Sequence, residues 1–128
     1  SAPLDPSYVI EGDWEFDSGY KAAELLLKQQ EIPSAVFCFN DYMAAGALNA
    51  FTDHGIDVPE QISIVGFDNK DFTAFLRPRL STVTIPSARI GSQSALMLDA
   101  LIKRKSPTGY IEQISCTLVE RESVAFRG

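Results

Sequence analysis

The stretch "AVFCFNDYMAAGALNAFTDHG", Ala35 to Gly55, runs from five apolar residues straight into Asn40-Asp41 and then into a segment crowded with alanine and glycine. "AVFCF" is a short, wholly apolar run of the kind that buried parallel strands show. The segment from Tyr42 to His54 reads as a helix, with Gly55 where a helix stops. A strand feeding a helix with no loop between them is half of a βαβ unit. The polar joint has two readings: it caps the helix, or it presents polar groups to a ligand.

Outward from this stretch the alternation continues. "SYVIEGDW" reads as a strand, and "FDSGYKAAELLLKQQ" as a helix with Tyr20, Ala23 and Leu26 or Leu27 at helical spacing and Pro33 beyond its stop. "DVPEQ" is a loop and "ISIVGF" a second buried strand. Strands alternating with helices imply right-handed crossovers and a parallel sheet. The expected fold class is α/β, a parallel-sheet three-layer sandwich. Past Asp68, "NKDFTAFLRPR" reads as a short helix or turn broken at Pro78, and "LSTVTI" as a strand. A long helix from Ser87 to Arg104 should carry Ile90, Met97, Leu98, Leu101 and Ile102 on one face. "SPTG" is a turn, and "YIEQISCTLVERESVAF" gives one or two strands.

With 128 residues, the chain suffices for one domain with a core. No apolar run approaches the roughly 20 residues of a membrane helix, the start lacks a signal-peptide pattern, and Ser1-Ala2 is set aside as a cloning remnant. A net charge of −6 has the wrong sign for a chain that binds nucleic acid by itself. The local cluster "KRK", Lys103 to Lys105, reads as a solvated helix end. Cys38 and Cys116 have no CxxC spacing and read as buried free thiols of a reduced compartment, the cytoplasm.

Ligands of open α/β sheets bind outside the carboxyl ends of the strands. Two such ends carry polar pairs, Asn40-Asp41 and Asp68-Asn69. If the strands are neighbours, Asn40 and Asp68 stand side by side. An ionised Asp offers two acceptors and an Asn both donor and acceptor, a set suited to vicinal hydroxyls. One pair alone reads as a cap; two at matching strand ends point to a site. Trp14, the only tryptophan, could stack on a sugar ring, though alone it reads as an anchoring aromatic. Enzyme signatures are absent: there is no HExxH, GxSxG, P-loop or GxGxxG, and His54 reads as a helix-end residue. Asp41, Asp68 and Asp71 leave open a magnesium-dependent phosphate-receiving domain, although the lysine and hydroxyl such a site needs are not evident.

"GDWEFDSGYKAAELLL", "PSAVFCFNDYMAAGALNAF", "GIDVPEQISIVGFDN", "LRPRLSTVTIPSARIG" and "LVERESVA" together resemble, in order and over nearly the whole chain, the lactose repressor/galactose repressor family of transcription regulators. The resemblance implies a periplasmic-binding-protein-like core of two α/β lobes with a small effector between them, and no cofactor. Its motifs fall on Trp14, Asn40 and Asp68 as effector contacts, leaving Asp41 to cap the helix. It implies a homodimer with Ala45, Asn49 and Leu76 in the interface, and operator binding through an N-terminal helix-turn-helix domain that this chain lacks. By the family pattern, about residues 4–84 and 115–128 form the C-terminal lobe, and about 85–114 belong to the other. An arginine of the first lobe that commonly holds the effector has no counterpart. Ser87 departs from the aromatic of some sugar-responsive members, while purine-responsive relatives tend to carry phenylalanine in place of Trp14. The expected effector is therefore a sugar or sugar derivative. A periplasmic sugar-binding protein for transport has the same fold and is the rival from another class.

Overall fold

The computed structural model describes residues 4–103 and 111–126; the expected "SPTG" turn and the end of "KRK" lie outside them. The chain divides into two compact units, Ser1–Thr84 with Leu118–Gly128, and Ile85–Thr117.

In the first unit, strands β1 (Ala35–Phe37), β2 (Ser63–Phe67) and β3 (Ser81–Thr84) run parallel. The register pairs Phe37 with Val65 and Phe67 with Val83. A fourth strand, β4 (Thr117–Val119), completes the order β1-β2-β3-β4. Helices α1 (Phe16–Leu27) and α2 (Asp41–Asp53) pack on one another, and α2 packs on β2. Leu48, Phe51, Ile62, Ile64 and Leu80 form the core between α2 and the strands, with Cys38, Ala44, Ala47 and Ala50 filling the gaps.

The small residues of α2 serve this packing. A Cβ on Gly46 would strike the carbonyl oxygen of Phe16, and one on Gly19 the backbone of Met43. Two glycines thus let the α1 and α2 backbones touch. Ala45 is only 1% exposed, so it does not lie on an outer face as expected; Asn49 is exposed and Leu76 packs partly into the core.

Three further expectations change. "SYVIEGDW" forms no strand. Pro6 opens a 3₁₀ turn (Pro6–Tyr8) capped by Asp5, and Val9 comes next in extended conformation without a paired strand. "AVFCF" is not buried throughout: β1 is an edge strand, Phe37 and Phe39 are exposed, and an apolar groove of about 840 Å³ runs beside it. Only Cys38 of the two thiols is buried, and burial pushes it up to about 12; Cys116 is exposed.

The last residues lock the sheet. Ser123 Oγ donates to Ile64 O (2.6 Å) and accepts from Ser81 N (2.8 Å), bridging β2 and β3. Glu122 meets the Arg79 guanidinium at 2.9 Å and accepts from the Arg79 amide. In the second unit, α3 (Ser87–Ile102) buries none of its residues, and Asp99 pairs with Lys103 one turn on.

Candidate functional site

Three residues beyond the paired Phe37 and Val65 come Asn40 and Asp68, so both leave the same carboxyl edge of the sheet. Their neighbours are aromatic. The Trp14 ring lies 6.5 Å from that of Phe39, which lies 5.6 Å from Phe37, which lies 6.4 Å from Phe67. Trp14 is 60% and Phe39 66% exposed.

The cap at the joint is Asn40 and not Asp41. Asn40 caps α2, accepting from Met43 N through Oδ1 at 2.8 Å. Its amide nitrogen donates to Trp14 O at 2.7 Å. Asn40 is buried, with both ends of its amide engaged within the chain. Asp41, expected as the cap, is instead sealed from solvent. Its Oδ1 accepts from the Thr82 hydroxyl (2.6 Å) and its Oδ2 from Lys70 N (2.7 Å). Burial raises its pKa, while the two hydrogen bonds and the charge of Arg121 pull the other way. Gly66 makes room for this carboxylate, since a Cβ there would sit against Oδ1.

Among the described residues, three without a glycine's freedom carry positive φ: Trp14 (73°), Asp68 (110°) and Asn69 (54°). Such backbone costs about 1–3 kcal/mol per residue and persists only where surroundings over-determine it. Here they do. Asn40 holds the Trp14 carbonyl. Asp68 N donates to Val83 O at 2.9 Å, Asn69 N to Thr82 Oγ1 at 3.3 Å, and Asn69 Oδ1 accepts from Arg121 at 2.7 Å. The Asp68 carboxylate, by contrast, has no hydrogen-bond or ion-pair partner among the described residues, which leaves its oxygens free for a ligand. The geometry thus combines an exposed indole with an uncommitted, half-buried carboxylate at one sheet edge.

Thr82 and Arg121 went unnoticed in the sequence. Thr82 reaches Asp41 across 41 residues and Arg121 reaches Asn69 across 52, and no local pattern signals that. Asp71 is exposed, and among the described residues no three acidic, histidine or cysteine side chains converge to hold a metal ion. His54 closes α2, its Nδ1 2.8 Å from Ala50 O.

Comparison with known proteins gives this edge its context. Residues 2–124 match the model of the periplasmic binding protein-like domain. The chain belongs to that family, and within it to the LacI/GalR-type regulators. It is 41% identical over 118 residues to the HTH-type transcriptional repressor PurR of Pectobacterium carotovorum subsp. carotovorum (strain PC1), covering 92% of the chain and 35% of that repressor. The transcriptional regulator CelR in complex with cellobiose superposes with a TM-score of 0.85 at 29% identity, over 94% of this chain and 37% of that one. The Lac repressor dimer bound to operator and the anti-inducer ONPF superposes with a TM-score of 0.82 at 31% identity, over 89% and 40%. The chain thus spans about a third of the curated relative's length. Likeness to transcriptional repressors sets aside the transport reading. The phosphate-receiving reading falls too, because Asp41 is already committed to Thr82 and Lys70.

Proposed function

We propose that this LacI/GalR-type segment forms the effector-binding and dimerisation part of a cytoplasmic transcriptional repressor, with a sugar or sugar derivative as effector. The observation that carries the reading is an exposed Trp14 indole at the same sheet edge as an Asp68 carboxylate that has no hydrogen-bond or ion-pair partner among the described residues. An indole face stacks on the apolar face of a pyranose, and a carboxylate accepts from two adjacent hydroxyls. Asn40 contributes through Trp14, whose carbonyl it holds. CelR, solved with cellobiose, lends support to a saccharide. Two compact units, split at Thr84, support an assignment of about 4–84 and 115–128 to one lobe and 85–114 to the other.

Operator DNA would be bound by a domain outside this chain, in keeping with its net charge of −6. Effector binding would then act by favouring one arrangement of the dimer over another. For the dimer face, Asn49 and Leu76 remain in the proposal and the buried Ala45 leaves it. Phe16, Tyr42 and Phe72 take its place: Tyr42 stacks on Phe72 at 5.3 Å, and Phe16 packs against both. Phe75 stands 78% exposed in the same segment as Phe72 and Leu76.

The test is a thermal-melt panel on the full-length protein, with monosaccharides, disaccharides and purine bases as ligands. A saccharide should raise the melting temperature of the wild type and leave Asp68→Ala unmoved. Stabilisation by a purine base alone, or an undiminished response of Asp68→Ala to a saccharide, would overturn the reading.

A further inference from the structure

Arg121 lies just past β4 in sequence and is half-buried. Its backbone amide donates to Ser81 Oγ at 2.9 Å, which fixes it to β3. The guanidinium then forks. Nη2 donates to Asn69 Oδ1 at 2.7 Å; Nη1 donates to Leu80 O at 2.6 Å and to Thr73 Oγ1 at 3.0 Å. Thr73 Oγ1 in turn donates to Lys70 O at 2.6 Å. One planar group therefore grips both ends of the segment from Asn69 to Thr73.

The opposite charge works on the same segment. Asp41 accepts from Lys70 N, and the Thr82 hydroxyl that Asp41 accepts from is itself the acceptor for Asn69 N. Between these two groups the chain passes through the left-handed residues Asp68 and Asn69. Neither is a glycine, so the turn stands because its surroundings impose it. Asp41 and Thr82 hold the backbone amides, and among the described residues Arg121 alone holds the Asn69 side chain. A lysine could keep the charge but not the fork, because an ammonium on a flexible stem cannot present donors in that fixed plane.

We infer that Arg121 is a positioning residue for effector binding: its forked guanidinium imposes the left-handed Asp68-Asn69 turn and so fixes the direction in which the Asp68 carboxylate is presented. The inference rests on Asp68 being the effector ligand. Its structural part needs no ligand, so it can be judged separately.

The experiment is amide hydrogen exchange by NMR on the full-length protein, comparing wild type, Arg121→Lys and the double variant Arg121→Lys/Asn69→Gly. The Asp68, Asn69 and Lys70 amides all have defined acceptors. In Arg121→Lys they should exchange at least about tenfold faster, while amides in the middle of α2 keep their rates. Glycine at position 69 adopts positive φ without help, so the double variant should recover most of the protection at Asp68 and Lys70. A residue that merely supported the fold would not be rescued this way. Unchanged exchange at the turn, an equal acceleration throughout α2, or no recovery with Asn69→Gly would each overturn the inference. Such a failure leaves the saccharide reading standing, whereas failure of the melt panel removes that reading and leaves these rates unaffected.

Discussion

A carboxylate sealed from water needs a donor on each oxygen, and Asp41 has the Thr82 hydroxyl on one and the Lys70 amide on the other. Asp41→Ala would orphan both donors. Each buried unsatisfied group costs about 1–3 kcal/mol, so urea denaturation should show a loss of roughly 2–6 kcal/mol. Burial raises the pKa of Asp41 above its ordinary 3.8. In the window between that ordinary value and its raised one, the native state binds the proton more readily than the unfolded chain. The contribution of this group to stability therefore increases as pH falls through the window. A ¹³C carboxyl titration should place its midpoint above that of an exposed aspartate. Asp68 belongs to the other kind: its oxygens are uncommitted, so Asp68→Ala should leave stability nearly unchanged. Its cost should appear in effector affinity, where losing a hydrogen bond to a charged group is worth about 1.5–3 kcal/mol, roughly ten- to a hundredfold.

At the scale of elements, contact between α1 and α2 depends on Gly19 and Gly46. Gly46→Ala would push a methyl group into the Phe16 carbonyl and to 2.9 Å from Tyr20 N. Overpacking against backbone should cost on the order of 1–3 kcal/mol. Gly91→Ala in α3 meets nothing within 4 Å and should instead stabilise that helix by about 0.5–1 kcal/mol. Paired melts of the two variants check the contrast. The same elements mark what the sequence could reveal. Apolar runs, the Gly55 stop and the polar strand ends announced β1, α2, β2 and the edge bearing Asn40 and Asp68, because these signals are local. Nothing local says which of the small residues of α2 are covered by the rest of the chain, so Ala45 read as an interface residue when it is buried. Likewise "AVFCF" is apolar enough for a central strand, and nothing within it says that it lies at the sheet's edge. Asn40 and Asp41 are both good caps, and only the approach of Thr82 and Lys70 assigns the buried place to Asp41.

For the whole molecule, the exposed apolar surface calls for partners. α3 buries none of its residues and leaves Ile90, Leu96, Leu98, Leu101 and Ile102 exposed. Burying each such side chain is worth about 1.5–3 kcal/mol, so the isolated chain should self-associate. Sedimentation velocity should show a weight-average coefficient that rises with concentration, and Leu98→Glu/Leu101→Glu should flatten it. Phe75→Asp tests the other face. Phe75 is largely exposed, so the fold should tolerate the change while the proposed full-length dimer dissociates more readily; an unaltered dimer would remove that face from the interface. The central claim, that the edge carrying Trp14 and Asp68 holds a saccharide, is tested most directly by ¹⁹F NMR. Trp14 would be labelled as 5-fluorotryptophan in the full-length protein, its resonance assigned with Trp14→Phe. If that edge holds the sugar, a saccharide which raises the melting temperature also shifts the Trp14 resonance saturably, and Asp68→Ala abolishes the shift at the same concentration. A saccharide that stabilises the protein while the Trp14 resonance stays where it was would contradict it.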